Sequence, residues 1–167
     1  DADALRALMQ HTVTTHEPAH RVDDDAGIVA WLTEVAERSA RMVCGWMRHG
    51  FVHGVMNTDN MSIHGLTIDY GPFGWLEAHD PSWTPNTTDL PGRRYRYAAQ
   101  PDVVGWNLAR LLEAVAVVMD DPEPLHGVLD AYREAYRNAR QQAWSERLGL
   151  DAWKEADEAL VRDLQHV

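Results

Sequence analysis

The 167 residues include a single cysteine, Cys44, so no disulfide can form within the chain and a reducing, cytoplasmic compartment is the expectation. Long hydrophobic runs are also missing. No apolar stretch approaches the roughly 20 residues of a membrane span, and no signal peptide is recognisable, so no membrane partner is expected. Basic residues are scarce: 15 Lys plus Arg stand against 26 Asp plus Glu, for a net charge of −11. Holding nucleic-acid phosphates needs a basic face, which argues against a nucleic-acid partner. The chain also lacks an initiating Met, which suggests a processed or cut piece of something longer. What is present is ordinary globular composition, with 45% hydrophobic and 25% charged residues and no internal repeat. The length suits one domain with a real core.

Residues 1–26 read as a polar, solvated lead-in carrying His11, His16, His20 and the acidic run Asp23-Asp24-Asp25. Zinc binding by those histidines is disfavoured, because their steps of five and four come with no nearby cysteine and no apolar helix. From Gly27 to His49 apolar residues recur at helical steps, with Asp24 or Asp25 as the N-cap and Gly50 at the C-terminal turn. Phe51-Val52 and Leu66-Thr67-Ile68 read as short strands bracketing a polar loop. Residues 77–100, with Pro81, Pro85, Pro91 and Gly92, form a long loop without periodicity. Pro101 opens a helix reaching Met119, Asp121-Pro122-Glu123-Pro124 breaks it, and a further helix runs from Leu125 to near Gly149. Asp151 then caps a last amphipathic stretch with Trp153, Ala156, Leu160 and Leu164. The fold class is mainly α with a short β/loop element in its middle.

That middle element carries the chemistry. Asn60 offers a carbonyl oxygen and Asp69 a carboxylate, both hard donors suited to a magnesium ion bearing phosphate oxygens. Asp59 is a second carboxylate able to take a proton from an attacking hydroxyl. The spacing parallels protein kinases, in which His-Arg-Asp is followed by Asn five residues after the Asp and later by Asp-Phe-Gly. Here His53 and Asn60 keep the offset, and Asp69-Tyr70-Gly71 stands for the second motif. Val55 occupies the position of the kinase base, so Asp59 is the one carboxylate in the loop that can serve. A polar turn satisfying its own backbone explains Asn57, Asp59 and Asn60 equally well at this level. An acid at the end of the apolar run Leu66-Thr67-Ile68 tilts the balance toward a site, because its desolvation would need a partner.

His53-Gly-Val-Met-Asn-Thr-Asp-Asn-Met-Ser62 followed by Gly65-Leu-Thr-Ile-Asp-Tyr-Gly-Pro-Phe-Gly74 closely resembles the selenoprotein O family, the YdiU-like pseudokinases. Asp80-Pro81, Gly92-Arg93, Gln100-Pro101, Trp106-Asn107-Leu108 and Tyr136 through Leu150 extend the resemblance over most of residues 28–150. It implies a protein-kinase-like C-lobe over residues 27–167 and a protein adenylyltransferase, which moves AMP from ATP to the hydroxyls of protein substrates and releases pyrophosphate. It further implies Asp59 as proton acceptor, Asn60 and Asp69 as ligands of magnesium or manganese, and Asp69 as a nucleotide contact. The glycine-rich loop and the strand lysine of a kinase N-lobe are not recognisable, so the isolated chain is expected to bind nucleotide poorly.

The remaining candidates have simpler readings. His53 is expected to be a structural hydrogen-bonding residue, Thr58 and Ser62 turn caps, Cys44 a core residue, and Arg93, Arg94 and Arg96 a solvated loop. Two rival functions stand beside adenylyl transfer. One is a small-molecule kinase of the aminoglycoside phosphotransferase type, and the other a non-catalytic scaffold.

Overall fold

The organising element of the computed structural model, which describes residues 1–69 and 71–165, is the helix α2, Asp25–His49. The Asp24 side chain accepts from the Gly27 N–H at 2.7 Å, and Gly50 closes the helix at φ 67°. Its apolar stripe includes Val35, Ala36, Ala40 and Val43, all without solvent exposure. Across it pack α3, Gln100–Ala116, and α4, Leu125–Leu148. Val104, Leu108, Leu112 and Val115 face inward from α3, and Leu125, Val128 and Tyr132 from the first half of α4. The Tyr132 hydroxyl donates to the Pro101 carbonyl at 2.6 Å, which satisfies the phenol in a site where burial pushes its pKa far up. Gly149 ends α4 in the left-handed conformation, as the sequence suggested.

The one sheet among the described residues is small. β1, Phe51–Val52, pairs antiparallel with β2, Gly74–Trp75, in the register Phe51↔Trp75 and Val52↔Gly74. Of the two expected strands, Phe51-Val52 forms and Leu66-Thr67-Ile68 does not. That second stretch leaves Leu66 exposed. Side chains hold it in place of a strand partner: the Trp46 indole N–H donates to Thr67 Oγ1 at 2.9 Å, and His53 Nε2 lies 2.7 Å from the Ile68 carbonyl.

Most positions of the lead-in are exposed, but it is not merely a solvated segment. Ala2–His16 forms a helix, α1, and Met9 and Val13 belong to the main core. Leu5, Met9 and Val13, four residues apart, make an apolar stripe too narrow to stand out in a polar segment. Where α1 ends, Glu17 is buried. Its two carboxylate oxygens accept from both Arg38 Nη atoms at 2.8 Å, and the Trp31 indole N–H adds a bond at 3.1 Å. The last helix also differs from expectation. α5 is Asp157–Leu164, Asp157 rather than Asp151 accepts the turn's N–H from Lys154, and the residue it buries is Val161, while Leu160 and Leu164 are exposed.

Of the residues singled out from sequence, Tyr70 and Val167 lie outside the described residues. No helix among the described residues is long and apolar enough to cross a membrane.

Burial alone would raise the pKa of Glu17. The Arg38 hydrogen bonds and charge, aided by His64 and the Trp31 N–H, outweigh it and hold the carboxyl below its ordinary range. Stability from this group is therefore present above the unfolded carboxylate pKa, about 4.3, and is lost as pH falls through the lower folded-state value. Glu17→Gln should cost on the order of 2 kcal/mol at pH 7 in urea unfolding. The gap between the two proteins should shrink below about pH 4. A gap of constant size would contradict this account.

Candidate functional site

Residues 53–57 run as irregular backbone, so their polar groups need partners other than a strand ladder. Side chains supply them. Gln100, fully buried at the start of α3, accepts from the His53 N–H at 3.0 Å and donates to the Phe51 carbonyl at 2.9 Å. Asn86 donates to the Gly54 carbonyl and Asn107 to the Met56 carbonyl, each at 3.0 Å. The Tyr95 hydroxyl reaches Asn57 Oδ1 at 2.6 Å. Periodicity could not have found these anchors, because Asn86 and Tyr95 sit in the long aperiodic loop. Gln100-Pro101 and Trp106-Asn107 did stand out as motif residues.

His53 occupies the centre of this arrangement with no solvent exposure. Its Nε2 faces the Ile68 carbonyl, while Nδ1 lies 3.4 Å from the Val55 N–H. Those partners require Nε2 to donate and Nδ1 to accept, which makes it a structural residue, as expected. The ring thereby joins the loop before Asn60 to the segment before Asp69.

The candidate residues sit at the surface end of this frame. Asp59 and Asn60 belong to a 3₁₀ turn, Thr58–Asn60. Asn60 is half-buried, and its Nδ2 donates to the Val55 carbonyl at 2.9 Å, which leaves Oδ1 as its free donor atom for a cation. Val55, at the position of the kinase base, thus contributes its carbonyl rather than its side chain. Asp59 is exposed.

Asp69 is exposed too, which corrects the expectation of a desolvated acid at the end of an apolar strand. What distinguishes it is the backbone: at φ 53° it is a non-glycine residue in the left-handed region. Such strain persists only where the surroundings over-determine it, and it concentrates at functional sites. Here Ile68 is tied to His53 on one side. Beyond it, a methyl placed on Gly71 would stand 3.2 Å from Val55 Cγ2. Among the described residues, neither the Asp59 nor the Asp69 carboxylate has a hydrogen bond or ion pair, so both keep their lone pairs. The Asn60 amide oxygen and the Asp69 carboxylate are hard donors of the kind a divalent cation takes, and Asp59 adds a carboxylate able to take a proton.

Other readings resolve plainly. Among the described residues no group of three or more His, Cys, Asp or Glu is arranged for a metal. His20 instead pairs with Glu34 at 2.6 Å, and the His16 ring meets His64 edge-on. Ser62 Oγ caps a turn by accepting the His64 N–H. Cys44 is buried, and burial pushes its thiol pKa up, which suits a core residue and not a reactive one.

A sequence model described as protein adenylyltransferase SelO matches residues 1–167. The chain belongs to the SelO family. It is 48% identical over 165 residues to a protein nucleotidyltransferase YdiU of Xanthomonas campestris pv. campestris (strain 8004), covering 99% of the chain and 32% of that relative. Relatives of the same name from Rhodopirellula baltica and Aromatoleum aromaticum are 47% and 45% identical over 171 and 164 residues. Each alignment covers 98% of the chain and 32% or 31% of the relative. The chain thus spans about a third of the length of the curated relatives it matches.

Gly54 makes the frame testable. Its φ is 83°, and an added Cβ would lie 2.8 Å from the Pro72 carbonyl oxygen and 3.0 Å from Pro85 Cγ. Gly54→Ala should lower stability by roughly 2 kcal/mol or more. Amide exchange should quicken first around residues 53–60 and 68–72. Unchanged exchange in both stretches would show that their contact does not need the glycine.

Proposed function

We propose that this chain is the catalytic-loop portion of a protein adenylyltransferase, transferring AMP from ATP to Ser, Thr or Tyr hydroxyls of proteins and releasing pyrophosphate. In this reading the helical body is a protein-kinase-like C-lobe, and the rest of the nucleotide site comes from a longer polypeptide. The carrying observation is the hydrogen-bonded path Asn60–Val55–His53–Ile68, which ties the loops of the two candidate metal donors together. It is read in a chain that a SelO family model matches end to end.

Each residue then has a physical task. Asn60 Oδ1 and the Asp69 carboxylate hold a magnesium or manganese ion, with the Val55 carbonyl fixing the Asn60 amide from behind. The bound ion supplies charge neutralisation at the nucleotide phosphates. Asp59 accepts the proton of the acceptor hydroxyl as its oxygen bonds to the α-phosphorus and the bond to pyrophosphate breaks. Because Asp59 is exposed, it can meet a hydroxyl carried by a separate protein. The left-handed backbone at Asp69 sets the direction in which its exposed side chain leaves the loop.

Two measurements test this. Titrating the chain with Mn2+ should broaden the NMR signals around Asn60 and Asp69, and Asp69→Asn should abolish the effect. In the full-length protein, ATP labelled at the α-phosphate should label acceptor protein with release of pyrophosphate. Asp59→Asn should slow transfer on the order of 100-fold. Label transferred from the γ-phosphate, with ADP as product, would favour the small-molecule kinase. Full activity in Asp69→Ala would remove the metal site.

A further inference from the structure

Within a strongly acidic chain, Arg93, Arg94 and Arg96 lie close together in the long loop, with Arg110 on α3, and the structure divides their roles. Arg93 Nη1 donates to the Ser82 carbonyl and hydroxyl, Arg96 Nη1 to the Arg93 carbonyl, and Arg110 pairs with Glu113. Arg94 is different. Its guanidinium carbon stands 4.5 Å from the centre of the Trp106 ring and 5.7 Å from that of Tyr95. Among the described residues, its side chain makes no hydrogen bond or ion pair. Stacking orders a guanidinium while leaving its in-plane N–H groups open, so the fork is preformed and exposed. Sequence alone suggested a solvated arginine.

The backbone holds it there as well. Asp89 accepts the Arg94 N–H on Oδ1 at 3.0 Å and the Tyr95 N–H on Oδ2 at 2.7 Å. Tyr95 in turn bonds Asn57, two residues before Asp59. Trp106 also carries Arg110 at 5.1 Å from its ring centre, and Arg110 shares a cleft with Thr58 of the same loop. Arg94 is thus linked through Tyr95 to Asn57, and through Trp106 and Arg110 to Thr58, the residue before Asp59.

We propose that Arg94, stacked on Trp106, is a specificity-determining residue that receives a carboxylate side chain of the acceptor protein close to the hydroxyl being modified. The partner's identity as an acceptor rests on the adenylyltransferase reading; the carboxylate recognition does not. A guanidinium fork matches a carboxylate in two parallel hydrogen bonds. The acidic remainder of the chain repels an acidic segment bound in any other register, which turns one favourable contact into selection.

The test uses the whole chain and two fluorescein-labelled peptides, each with a central Ser flanked by Glu or by Gln. The Glu peptide should bind about tenfold more tightly, a difference of about 1.4 kcal/mol, and Arg94→Gln should erase that preference. Trp106→Leu, which keeps the charge but removes the stack, should give an intermediate preference. Thermal unfolding and Mn2+ broadening should be unchanged in Arg94→Gln, separating this result from failure of the metal site. In the full-length protein the same substitution should raise KM for the acidic acceptor and leave kcat alone. Equal affinity for the two peptides, or a preference that survives Arg94→Gln, overturns the proposal. So does a shift of the Arg94 Nε signal with ATP but not with the Glu peptide.

Discussion

Everything around the candidate site hangs on one imidazole that never meets water. His53 has a carbonyl on one ring nitrogen and an amide N–H on the other, while its own backbone N–H is taken by Gln100. A buried ring with two polar edges must find a donor and an acceptor at fixed angles, and each unmade bond would cost about 1–3 kcal/mol. The two loops that meet at His53 are therefore held in one relative position. Trp46 and Phe51 pack around the same ring, with centroids 5.6 and 6.5 Å away, so the pivot is sealed by aromatic surface. Removing water from it strengthens the hydrogen bonds it makes.

Around that pivot the molecule separates support from exposure. The long helices meet along α2 and supply a dry, rigid base, while amides from Asn86, Gln100 and Asn107 satisfy the irregular backbone above it. This arrangement lets Asp59, Asn60 and Asp69 sit at the rim with unspent oxygen atoms. The Glu17–Arg38 pair does similar work at the other end of the segment, where His64 lies 3.0 Å from Glu17. Arg94 extends the pattern to the periphery: a charged group ordered by stacking and left open at its edge.

Much of the helical body was legible in the residues themselves. α2 and α4 carry broad apolar stripes and end at Gly50 and Gly149, whose left-handed conformations stop a helix by local sterics. α1 was not legible, because Met9 and Val13 mean little until α2 offers a surface to bury them. The same holds for α5, where the buried residue proved to be Val161. The segment 66–68 looked like a strand because strand propensity is read from side-chain type alone. Trp46 and His53, which hold it otherwise, are 21 and 15 residues away from their partners in it.

Asp59, Asn60 and Asp69 stand out as candidates from chemistry and spacing, and family membership follows from the sequence without any coordinates. The sequence alone also carried the charge balance, the lone cysteine and the helix caps, since each depends on residue identity or on neighbours a few positions apart. Only the tertiary structure decided that Asp69 is exposed and set by its backbone, that the Val55 carbonyl orients Asn60, and that Arg94 lies on Trp106. Those facts arise where distant segments meet. Hydrogen bonds and stacking act over a few ångströms, and the fold determines which residues come within that range.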